Sequence, residues 1–180
     1  PFIKLRGKNQ DMKTLYIIRH AKSSWDNPDL SDFERPLNSR GKKNAPRMAK
    51  RLKEKRIVPD VMLTSPAERA LATCQEFARV LNFDENKIKT DRRLYHADED
   101  QILTVIRELK DSPRDSEEVV MLFGHNPGLT EFVNSLLKEE LENIPTCGIV
   151  AASLNIDRWK DTRFGCGELK FFDYPKRSED

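Results

Sequence analysis

The sequence predicts an α/β fold with a largely parallel central sheet. Short apolar runs of strand character alternate along the chain with segments whose apolar residues recur at helical spacing, the pattern of βα repeats. Three of those runs, Thr14 to Ile18, Val61 to Thr64 and Val119 to Phe123, pass directly into polar segments rich in Arg, His, Ser and Asn. At 180 residues the chain is long enough to bury a substantial core as one compact domain over residues 12–180.

The first strand is expected over Thr14 to Ile18 and ends in Arg19-His20. A long polar loop runs from Ala21 to about Leu37, holding Trp25, Pro28 and Pro36; its length marks it as a lid or rim. A helix starts near Asn38 or Ser39, with Ala45, Met48, Ala49 and Leu52 on its core face. Pro46 falls early enough to bend it. The second strand is Val61 to Thr64. Ser65-Pro66-Ala67-Glu68 then reads as a capping box with proline at the first helical position, opening a helix that buries Ala70, Cys74, Phe77, Ala78 and Leu81. A short strand fits Lys87 to Thr90. Leu94 to Asp100 reads as a loop, and Ile102, Val105, Ile106 and Leu109 mark the next helix.

Val119 to Phe123 is the most hydrophobic run and is expected at the centre of the sheet, covered on both faces. Asn126 is placed to cap the next helix, with Pro127 at its first position and Leu129, Phe132, Val133 and Leu136 inward. Two last strands, Gly148 to Ile156 and Glu168 to Phe172, form an antiparallel hairpin at a sheet edge. Residues 1–11 differ in character from the rest of the chain and precede Met12, so they read as a leader or added extension.

Composition narrows the function. The chain is 34% charged, yet its net charge is only +2, so any affinity for anions must be local. The basic run from Lys50 to Arg56 fits the solvated face of an amphipathic helix better than a nucleic-acid patch. No apolar stretch reaches the roughly 20 residues needed to span a bilayer, so neither nucleic acid nor membrane is an expected partner. Three cysteines without paired spacing argue against a disulfide framework and for a reducing, cytoplasmic setting. Three histidines with no close-spaced cysteine give no metal site, and no cofactor motif is present. Cys74 and Arg79 are one residue too close for a cysteine-based phosphatase loop, and there is no phosphate-binding glycine loop.

The chemistry gathers at the strand ends. In open α/β sheets, ligands bind at the carboxyl ends of strands. Arg19 and Arg69 supply forked donors matched to phosphate oxygens, and His125 supplies another. Helix starts at Ser65 and Asn126 would favour an anion nearby. His20 is then the candidate nucleophile. A neutral imidazole can attack phosphorus, become phosphorylated and be released by water.

Ile18-Arg19-His20-Ala21, Ser65-Pro66-Ala67-Glu68-Arg69-Ala70 and Gly124-His125-Asn126-Pro127-Gly128 resemble the motifs of the histidine phosphatase superfamily, also called the phosphoglycerate mutase-like fold. Ala21 departs from the usual Arg-His-Gly. The continuation Lys22-Ser23-Ser24-Trp25, with Phe33-Glu34-Arg35-Pro36-Leu37 and Arg40-Gly41, resembles the small SixA-type phosphohistidine phosphatase branch. The resemblance implies a three-layer α/β/α sandwich with a mostly parallel central sheet. It also implies phosphoryl binding by Arg19, Arg69 and His125, with Asn126 and Ser23 as further contacts, and attack by His20. No cofactor or metal is implied. The expected partner is a phosphohistidine-bearing protein or a small phosphate ester, with inorganic phosphate as product.

Larger relatives carry an acidic proton donor after the second motif. Here Leu94 to Asp100 offers His96, Asp98 and Glu99, with the two acids as candidate donors. Lacking a donor suits a phosphohistidine substrate, whose protonated ring leaves as neutral imidazole. Two rivals stay open: a phosphatase of small phosphomonoesters or phosphoserine and phosphothreonine, which needs a working acid, and a phosphoprotein-binding module without catalysis.

Overall fold

The computed structural model describes residues 13–113 and 117–177; the expected extension at 1–11 lies outside them. One six-stranded sheet organises the chain. Its strands are β1 (Lys13–Arg19), β2 (Val61–Thr64), β3 (Lys89–Thr90), β4 (Glu118–Gly124), β5 (Ile149–Leu154) and β6 (Gly167–Asp173), in the spatial order β3-β2-β4-β1-β5-β6. The first four in that order run parallel, and β5 and β6 add an antiparallel hairpin beside β1. The hairpin expectation holds, with β6 at the edge and β5 inside it.

The period of two along β1 and β4 divides the core. Leu15 and Ile17 share one face with Val120 and Leu122. That face is covered by α3 (Glu99–Arg107) and α4 (Gly128–Leu137). Tyr16 and Ile18 share the other face with Met121 and Phe123, under α1 (Ser39–Glu54) and α2 (Glu68–Leu81). The result is the three-layer sandwich. Being buried on both faces, β4 reads as a continuous apolar run, as expected of a central parallel strand.

The helix starts carry the corrections. α1 starts at Ser39, where a helix start was expected, and Asn38 caps it, accepting the Gly41 backbone N–H. Ser65 does not cap α2. The helix begins at Glu68 with Ala67 in the cap position, and Ser65 Oγ instead accepts from Ala67 N at 3.2 Å inside the preceding turn. Asn126 does not cap α4 either. That helix begins at Gly128 after a cis Asn126-Pro127 bond, and the Asn126 carboxamide is used elsewhere. The loop expected over Leu94 to Asp100 ends early, because Asp98 forms a capping box with Gln101 and starts α3 at Glu99. Leu109 lies past the end of α3 but still packs against the core.

Candidate active site

Strand order brings the three polar segments together. β4 lies between β2 and β1, with Arg19 paired to Gly124 and Thr64 to Phe123. The next residues, His20, His125 and Ser65, therefore emerge from neighbouring strands within one residue of the same level of the sheet. The His20 and His125 rings lie 5.1 Å apart, and both residues are buried.

His20 is held in one tautomer. Its Nδ1 lies 2.8 Å from the Ala21 carbonyl oxygen, which can only accept, so Nδ1 carries the proton and Nε2 keeps a free lone pair in the neutral ring. Burial, together with Arg69, Arg19 and Arg35, outweighs that bond and pulls the His20 pKa down to about 4. His125 is pulled down to about 3, first by burial and then by His20 and Arg69. Its Nε2 lies 2.8 Å from Ser65 Oγ. Ser65, expected as a helix cap, thus orients this imidazole.

Arg19 is anchored by Nη1, which donates to the Ile144 carbonyl at 2.8 Å. Burial and the neighbouring Arg69 lower its pKa, the mark of two cations sharing a site. Arg69 is held by the Asp32 backbone oxygen at 2.5 Å and by Asp32 Oδ2 at 3.0 Å. Among the described residues, three buried polar atoms have no protein partner: Arg19 Nε, Arg69 Nε and His125 Nδ1. Buried polar groups are nearly always satisfied, so these three nitrogens leave hydrogen-bonding capacity unused among the residues that the motifs supply.

The remaining expected residues each have protein partners. Ser23 Oγ accepts from Arg35 Nη2 at 2.5 Å. Asn126 Nδ2 donates to Asn143 Oδ1 and the Ile144 carbonyl, while its Oδ1 accepts from Thr130, so it clasps the loop that anchors Arg19. Asp98 caps α3, and Glu99 Oε2 accepts from Ser135 at 2.5 Å. Both candidate acids are therefore committed to the starts and faces of helices rather than to the two buried imidazoles.

Sequence reasoning missed Asp32. It sits in a short 3-10 turn of the long loop and gathers donors from Arg35 (2.9 Å), Arg69 (3.0 Å) and Tyr95 (2.7 Å). Burial opposes its ionisation, but these three bonds win and hold its carboxyl well below the usual range. Arg35 lies three residues on, but Arg69 and Tyr95 are brought to Asp32 by folding, and no local pattern signals them. Arg35 also stacks 3.2 Å from the ring centre of Trp25, which is 72% exposed on the rim.

The chain matches the sequence model of the histidine phosphatase superfamily (branch 1) over residues 15–100. Its fold is similar to that of the putative phosphohistidine phosphatase SixA of Agrobacterium tumefaciens, with a TM-score of 0.73 and 28% identity over 91% of this chain and 99% of that one. A structure of the protein histidine phosphatase SixA complexed with tungstate gives 0.73 and 23% identity over 88% and 95%. A phosphoglycerate mutase from Plasmodium falciparum shares the fold at 0.62 and 17% identity over 93% and 97%. The family model thus spans the first two motifs, and the shared fold extends past the third, so the chain is similar to the histidine phosphatase superfamily along its length.

Proposed function

We propose that this chain hydrolyses phosphohistidine on a partner protein through a phosphorylated His20. The reading is carried by one observation: the His20 and His125 rings lie 5.1 Å apart, the charges of Arg69 and Arg19 act on His20, and Arg19, Arg69 and His125 each keep a buried side-chain nitrogen without a protein partner. A phosphoryl group bound to those donors places its oxygens against positive charge and leaves phosphorus open to Nε2. With the Ser65 hydroxyl donating to His125 Nε2, the ring proton sits on Nδ1, directed to the phosphoryl.

In the first step Nε2 forms a bond to phosphorus, and the bond to the leaving group breaks with its electron pair. In the second, water attacks phosphorus and the pair returns to Nε2, freeing inorganic phosphate. The phosphoryl oxygens carry negative charge through both steps, where the preset donors act without reorganising. Asp32 keeps Arg69 and Arg35 in place. Phosphohistidine is favoured as substrate because its leaving imidazole departs neutral, whereas an alkoxide needs a strong acid and both candidate carboxylates are engaged elsewhere.

The test is a substrate comparison at neutral pH: a phosphohistidine protein against a phosphoserine peptide and a small alkyl phosphate. The expected result is a kcat/KM at least about tenfold higher for phosphohistidine. Preference for the alkyl phosphate would support the phosphomonoesterase reading, and tight binding without turnover would support the binding module.

A further inference from the structure

His96 is the one histidine of the chain that the proposed reaction leaves unused. It stands at the rim with its side chain 62% exposed, its ring 6.2 Å from that of His125 and 4.0 Å from that of Tyr95. Its Nε2 is 3.5 Å from Asp32 Oδ2, the carboxylate that also holds Arg69. Its backbone is in the left-handed region, with φ +56°. Side-chain-bearing residues enter that region at a cost and tend to be kept there where their position serves a site.

The sequence builds this placement. A Cβ on Gly128 would lie 1.8 Å from the Ala97 carbonyl oxygen. Only glycine at the start of α4 lets the loop carrying His96 rest directly on the turn after His125. A capping box at Asp98 then fixes the loop's far end. Gly128 therefore links the third motif to the position of an imidazole outside all three motifs.

We infer that His96 is the proton donor to the leaving group, with Asp32 orienting its ring; the inference rests on the phospho-His20 reading. As the bond from phosphorus to the leaving atom breaks, that atom keeps the electron pair and takes a proton from the His96 imidazolium. Neutral His96 then removes a proton from the water that attacks phospho-His20. The phosphorus–Nε2 bond breaks, its pair returns to His20, and His96 ends protonated as it began. Asp32, kept ionised by its three donors, is the carboxylate that faces the His96 ring; Arg69 and Arg35, paired to the same carboxylate, and Tyr95 and His125 are the further charged and titratable groups beside it. The donated proton matters for a leaving phenoxide, which departs charged, whereas a phosphohistidine already protonated on its ring departs neutral without it.

The test uses His96→Asn, because asparagine tolerates the left-handed backbone and keeps the loop while removing the acid. Steady-state kcat/KM is measured for aryl phosphates of rising leaving-group pKa, from p-nitrophenyl to unsubstituted phenyl phosphate. The expected loss grows along the series, from about threefold to about 100-fold, the scale of general acid catalysis. A loss of the same factor for every ester would overturn the proposal and leave His96 a structural residue. Wild-type protein quenched during turnover is assayed in parallel for phospho-His20. If that is present while the loss is uniform, only the role of His96 fails; if it is absent, the underlying reading fails as well.

Discussion

His20 and His125 are two imidazoles kept neutral by burial beside two guanidinium groups, and that choice has a consequence for stability. In the unfolded chain each takes a proton near pH 6.5; in the folded protein His20 resists until about 4 and His125 until about 3. Below pH 6.5 the unfolded state therefore binds more protons, so stability must fall as pH falls through that window. Each histidine contributes a slope of up to about 1.4 kcal/mol per pH unit. Urea denaturation from pH 7 to pH 4.5 should show a falling midpoint, with a shallower fall in His20→Asn. An identical slope in that variant would mean His20 is not held neutral by the fold. The four residues that meet, Arg19, His20, Arg69 and His125, were legible because each follows a strand or opens a helix at a recognisable motif. Asp32 was not, because its meaning comes from Arg35, Arg69 and Tyr95, which lie 3 to 63 residues away.

At the level of elements, two glycines set how loops sit on helices. A Cβ at Gly41 would lie 2.2 Å from the Lys22 carbonyl oxygen, so the start of the long loop lies directly on α1. Gly128 does the same for the loop before α3. Gly128→Ala should therefore displace that loop, destabilise the protein by about 1–3 kcal/mol as overpacking does, and lower kcat/KM on aryl phosphates. Wild-type kinetics in this variant would show that the loop position is immaterial. Helix interiors were readable from periodicity, and the residues expected to face inward from α1, α2 and α4 are buried. The starts of α2 and α4 were not. Ser65 and Asn126 have the chemistry of caps, but a side chain that can cap can equally bond a neighbouring segment. Ser65 is taken by His125 and Asn126 by the loop at Asn143 and Ile144.

For the molecule as a whole, alternation of strand and helix was enough to predict a parallel sheet, and the continuous apolar run of β4 was enough to put it inside. The three layers arise from two apolar faces that each need cover. Strand order was a different matter. That β4 lies between β2 and β1 is not written in any local pattern, yet this order is what sets three motifs from distant parts of the chain beside one another. Among the described residues no helix is long and apolar enough to cross a membrane.

The central claim is that His20 Nε2 takes the phosphoryl group. The most direct measurement is to quench the protein during turnover of an aryl phosphate under alkaline conditions, which preserve phosphohistidine, and locate the added phosphoryl group by mass spectrometry. The account predicts one group, on His20, absent from His20→Ala, which folds normally and does not turn over. Modification at another residue, or wild-type turnover in His20→Ala, would contradict it.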